Sequence, residues 1–187
     1  MQIRSEVAAA LAVASMLACA GTPGEAGAQG GYRWDGSPTD RPETASSGAF
    51  SVSQLSTPAP DRLMADWLTP ILEVPIVLAT ETPRNKPLVT FIAFKGCRGD
   101  AAGNCNVTVD YEMLDPKGAV YDLTKGAAVW VGHPAPGADA IELSSSGYGV
   151  VFEDKDALGA YLLRATITDH IAGITLRTQQ TLVATAD

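Results

Sequence analysis

The chain has 187 residues, 46% of them hydrophobic and 18% charged, with a formal net charge of −8. That acidic balance lacks the basic footprint of a nucleic-acid binder, and anionic membrane surfaces repel it. Two histidines and three cysteines are sparse material for a metal centre or a histidine-based active site, so neither a metal nor a cofactor is expected.

The first element is an address. Arg4 opens a short charged start, Val7 to Ala20 is an apolar run, and Ala26-Gly27-Ala28 is a small-residue triplet. That order is the pattern of an export signal over residues 1–28, with cleavage expected between Ala28 and Gln29. The apolar run is shorter than the roughly 20 residues a bilayer requires. Met16-Leu17-Ala18-Cys19 resembles the lipobox of bacterial lipoproteins, in which the cysteine is acylated. A periplasmic or secreted protein is therefore expected. The alternative is a lipoprotein anchored through Cys19, the one route to a membrane. Removing Arg4, Glu6 and Glu25 with the leader takes the net charge from −8 to −7, and the remainder suffices for one domain.

Residues 29–60 are rich in Gly, Ser, Thr and Pro and read as a flexible polar arm, with Ala49-Phe50-Ser51-Val52 able to pair at a sheet edge. The domain is expected over residues 61–187. It opens with a short helix near 61–68, for which Asp61 is a candidate N-cap and Trp67 a core plug. Leu88 to Phe94 is a nearly continuous apolar run, as in a strand buried in a sandwich core. Asn106 to Met113 alternates cleanly, with Val107, Val109, Tyr111 and Met113 on one face. Asp115-Pro116-Lys117-Gly118 is a type I turn. Val120–Leu123 and Ala128–Val131 read as two short strands, and His133 to Gly137 as a Pro- and Gly-broken loop. Short strands follow over Ile141–Leu143 and Gly149–Phe152. Tyr161–Asp169 alternates again, and Ala172-Gly173 turns into a final strand, Ile174–Ala184. Seven or eight short strands at this spacing make an all-β chain, an antiparallel β-sandwich with a β-barrel as the runner-up.

Cys97 and Cys105 form an even pair once the leader is gone, and in an exported protein they read as a disulfide. The intervening Arg98 to Asn104 is small, polar and glycine-containing, as a strand connection should be.

Asp156-Ala157-Leu158-Gly159-Ala160-Tyr161 resembles the corner that opens a late strand in immunoglobulin-like and fibronectin-type-III-like domains. The resemblance implies an immunoglobulin-like sandwich in which the Tyr161 hydroxyl bonds back to the upstream backbone. Leu163 stands where many antibody-type domains carry a cysteine, so their inter-sheet disulfide is absent. The chain also looks like a group of small exported bacterial proteins of unassigned function that share the Gly-Cys and Gly-Asn-Cys strings with this corner. The likeness covers roughly residues 85 to 185 and speaks to fold alone.

Short chemical strings are better explained by turn chemistry. Arg98-Gly99-Asp100 spells an adhesion tripeptide, yet Gly-Asp is common in turns. Asp100 to Asn104 offers one carboxylate and one amide, short of the roughly six oxygens calcium takes. Asn106-Val107-Thr108 matches a glycosylation sequon inside a predicted strand. Neither His133 nor His170 neighbours a nucleophile in sequence, and Ser144-Ser145-Ser146-Gly147 is no nucleophile elbow. Trp130, His133 and Tyr148 are the candidate binding-loop residues, since loops at a sandwich end often carry recognition. No catalytic residue is assigned. The function expected is an accessory module that binds a protein, peptide or glycan through loops or an open strand edge. The alternatives are a structural lipoprotein anchored at Cys19 and a weak hydrolase using His133.

Overall fold

The computed structural model describes residues 31–32, 38–39, 41–68, 77–138 and 140–186. The expected leader, with Cys19 and the cleavage site, lies outside them. Two two-residue strands, β1 (Gly31–Tyr32) and β2 (Pro38–Thr39), pair with each other. A hairpin of β3 (Thr44–Ser47) and β4 (Phe50–Thr57) follows, and then helix α1 (Pro60–Leu68). The remaining strands are β5 (Glu81–Pro83), β6 (Pro87–Lys95), β7 (Asn104–Leu114), β8 (Val120–Pro134), β9 (Glu142–Leu143), β10 (Tyr148–Val151), β11 (Gly159–Asp169) and β12 (Ile174–Thr185).

Apart from the β1–β2 pair, the strands form two sheets. One runs β10-β6-β4-β3, with β9 also on β6; the other runs β5-β12-β11-β7-β8. Neighbours are antiparallel except β5, which lies parallel to the end of β12. The architecture is a β-sandwich, and its core sits between the inner faces. Strand β7 shows why: its residues alternate buried and half-buried along its full length, because a strand presents successive side chains to opposite faces. Val107, Val109, Tyr111 and Met113 face Phe50, Val52, Ile92 and Phe94 of the opposing sheet within one apolar cluster. The β7–β8 turn forms as predicted: Asp115 Oδ1 accepts the Lys117 and Ala119 N–H groups, each at 2.8 Å.

The expected arm over residues 29–60 is corrected in its second half. β3 and β4 belong to the sheet, with β4 paired to β6 from Ser51 to Thr57, and Phe50 and Val52 are buried in the core. The inner face of β4 is half polar (Phe50, Val52, Gln54, Ser56), so its sequence reads like a linker until β6 supplies the pairing. Gly96, just after β6, has φ +73°, and a side chain there would meet the Ala49 carbonyl; glycine is the residue that allows this close approach.

Helix α1 starts with Pro60 in its first turn, where a missing N–H costs nothing. Asp61 therefore lies inside the first turn, where its charge favours the positive helix end, and does not cap it. The helix lays Leu63, Met64 and Trp67 over the outer face of the β6–β4 sheet, against Leu55, Val89, Phe91 and Ala93. No described helix is long and apolar enough to cross a membrane.

Candidate binding surface

Strand β8 organises one side of the molecule. The two short strands expected over Val120–Leu123 and Ala128–Val131 are one strand of fifteen residues, paired to the eleven of β7. The four extra residues are absorbed at four register shifts. Bulges of this kind bend a strand and disrupt its pairing row. Of the other edges, β3 and β10 have four residues and β5 has three. Short or bulged edges are poor templates for strand addition.

Of the three candidate loop residues, two are brought together and the third is buried in another strand. Trp130 and His133 lie within β8, their rings 4.9 Å apart, and Trp130 leans on Phe94 at 5.6 Å. Trp130 Nε1 donates to the Pro134 carbonyl at 3.0 Å. Trp130 is thus half-buried filling, and His133 is exposed beside it with no acid or hydroxyl bonded to its ring among the described residues. Tyr148 begins β10 instead of lying in a loop, and it is buried, its ring 4.8 Å from that of Tyr111. Its hydroxyl donates to Asp122 Oδ2 at 2.7 Å. Burial pushes the Tyr148 hydroxyl well above its ordinary pKa, and the bond to Asp122 adds to the rise. A cavity of about 250 Å³ opens here between β8 and the β9–β10 bend, lined by Tyr111, Asp122, Thr124, Ser146 and Tyr148. Gly147 sits in that bend against Val89, with no room for a side chain.

The loops are tied down from within. Cys97 and Cys105 are joined by a disulfide. Asp100 Oδ1 accepts the Ala102 and Asn104 N–H groups at 2.8 and 3.0 Å. The carboxylate of the adhesion-like tripeptide is therefore spent on its own loop. Asp169, fully buried, accepts the N–H groups of Arg98, Ile171 and Ala172 at 2.8, 2.9 and 3.0 Å. His170 Nε2 and Thr108 Oγ1 are hydrogen-bonded at 2.8 Å. Asn106 pairs with Val131 inside the sheet.

The outer face of the β5-β12-β11-β7-β8 sheet carries what the sequence reading missed. Nearest the β7–β8 turn, Leu162, Leu114 and Val120 stand opposite one another on adjacent strands. The next row is Gln179, Arg164, Glu112 and Leu123, and beyond it come Arg177, Thr166 and Asp110. Val120 and Leu123 are 60% and 52% exposed. Arg164 Nη1 donates to Glu112 Oε2 at 3.0 Å, and Lys125 Nζ lies 3.4 Å from Asp110 Oδ2. The Gly126 N–H donates to Asp110 Oδ1 at 2.7 Å. That amide, with Lys125 helping against a small burial penalty, holds the Asp110 carboxyl below the ordinary carboxylate range. Arg177 has no partner among the described residues. A groove of about 540 Å³ follows these rows, with Leu123, Lys125, Arg164 and Arg177 in its walls. The alternation of β7 already puts Asp110, Glu112 and Leu114 on one face. The cross-strand register that joins them to Val120 and Leu162 is a tertiary fact.

No known protein-family profile matches the chain, and no curated protein matches it.

Proposed function

We propose that this chain is a non-catalytic exported accessory module on an immunoglobulin-like sandwich, docking a protein or peptide on the outer face of its β5-β12-β11-β7-β8 sheet. The observation that carries the reading is an apolar row in which half-buried Leu162 and Leu114 adjoin exposed Val120 and Leu123, beside the charged groove. Uncovered apolar side chains rimmed by polar ones are the usual mark of an interaction site. Arg177, a cation with no carboxylate partner among the described residues, suits an acidic group on the partner. Side-chain docking fits better than strand addition because the edges are short or bulged.

Two further features support the immunoglobulin-like type. The Tyr161 hydroxyl donates to the Ala157 carbonyl at 2.9 Å, the bond the corner resemblance implies. The leading strands divide between the sheets, β4 pairing with β6 and β5 running parallel to β12. The Cys97–Cys105 bond fits an oxidising compartment. Acylation at Cys19 would present the same surface at a membrane.

The test is site-specific photo-crosslinking in the native host. A reactive side chain at Leu123 is expected to trap a discrete partner, whereas one at Arg62 on α1 is not. Equal trapping at both positions, or trapping at neither, would sink the docking face. Intact mass of the purified protein decides the address: a chain starting at Gln29 supports export, and an acylated Cys19 start supports the anchored form.

A further inference from the structure

Strands β4 and β12 belong to different sheets and meet along the side of the sandwich opposite β8. Pro42 and Glu43, just ahead of β3, are clasped between them. Gln179 N donates to the Pro42 carbonyl at 2.8 Å, and Gln54 N donates to the Glu43 carbonyl at 2.9 Å. Beneath this strap the core changes character: the inward side chains are Gln54 and Ser56 on β4, Thr90 on β6, and Thr178 and Gln180 on β12.

Half of this layer is satisfied. Ser56 Oγ donates to Gln180 Oε1 at 2.5 Å. Its single proton is then used, so Thr90 Oγ1, 2.6 Å away, donates to Ser56 Oγ. Gln54 and Thr178 stand two residues back along the same strands, at the same sequence separation of 124. Gln54 is 1% exposed and Thr178 4% exposed, and among the described residues the Gln54 Nε2 and Oε1 and the Thr178 Oγ1 have no partner. On the side away from Ser56 and Gln180 the flanking inward residues are Val52 and Leu176, with Ile92 paired opposite Gln54, and these are apolar. A buried amide and hydroxyl left unpaired lose their hydration with nothing in return.

We propose that Gln54 and Thr178 form an internal binding site for water, which bridges the amide to the hydroxyl beneath the Pro42–Glu43 strap. The donor set selects the ligand class. Water both donates and accepts, as an amide and a hydroxyl together require. An anion would face the Gln54 carbonyl oxygen, a hard cation needs about six oxygens, and an apolar molecule would satisfy neither group.

The experiment is water–protein NOE and ROE spectroscopy on the labelled, oxidised chain. Cross-peaks from water to the Gln54 side-chain amide protons are expected, with the sign of a residence time beyond nanoseconds. Their absence, or a direct Gln54–Thr178 hydrogen bond without water in a crystal structure, would overturn the site. Gln54→Leu gives a second reading, expected to lower the folding equilibrium constant by about tenfold because Thr178 and its water lose their partner. A rise in that constant would overturn the proposal. The wild-type spectra need no variant to fold, and neither measurement depends on the docking face.

Discussion

The two outer faces of the sandwich meet the same physical demand in different ways. Strand β6 pushes Val89, Phe91 and Ala93 outward, and helix α1 covers them with Leu63, Met64 and Trp67. On the other sheet half-buried Leu114 and Leu162 and exposed Val120 and Leu123 also point outward, and no described helix lies over them. The chain thus supplies a roof for one apolar face and leaves the other bare. A roofed face spends its apolar area on folding, whereas a bare one keeps that area for association. Stability and binding should therefore respond to opposite faces.

The largest expected effect breaks the roof. Leu63 is 3% exposed, and Leu63→Ala should lower the unfolding free energy by about 3 kcal/mol through lost burial and the cavity left behind. Leu123→Ser on the bare face should change it by less than about 0.5 kcal/mol while abolishing partner capture. Urea denaturation of both variants checks the pair. Equal losses would mean that the bare face is part of the folding core after all.

How much of this contrast could be read beforehand depends on where the information sits. β7 and β11 were legible because alternation is local, and the Tyr161 corner because its residues are contiguous. The Cys97–Cys105 pairing followed from an even count and a short polar spacer. β4 was not legible as a core strand, since Gln54 and Ser56 break its apolar face and its pairing partner lies more than thirty residues away. β8 looks like two strands in sequence because Gly126, at φ +64°, reads as a break but serves as an irregularity within one strand. Residue type alone points to Trp130, His133 and Tyr148. The proposed docking face is defined by register across four strands, which no single segment encodes.

A smaller effect tests whether roof and bare sheet unfold as one unit. Burial raises the pKa of the Tyr111 hydroxyl, and burial followed by the Asp122 bond raises that of Tyr148. A tyrosine whose folded pKa is raised contributes stability that is complete below its unfolded value, about 10. That stability is lost as the pH rises beyond it, because the unfolded chain releases the proton first. Alkaline unfolding should therefore begin above about pH 10. It should give the same midpoint from Trp67 on the roof and Trp130 on β8, read one at a time in a Trp34→Phe background. Two separated midpoints would show that the faces belong to independently stable layers.

The smallest effect lies on the bare face itself. Asp110 is depressed chiefly by the Gly126 N–H and then by Lys125, so its contribution is present above the unfolded carboxylate value, about 3.9. It is lost as the pH falls through the lower folded value. The side chain is 43% exposed, and water screens the pair to ~0.3 kcal/mol. Asp110→Asn should remove that small acid-range slope, with Asp110 resonances titrating below those of a reference peptide. At neutral pH the same change leaves Lys125 without its carboxylate, so the groove gains one positive charge beside Arg177. If the partner is acidic, as Arg177 suggests, Asp110→Asn should strengthen capture at Leu123 while barely moving stability, and weaker capture would turn the charge assignment of this face around.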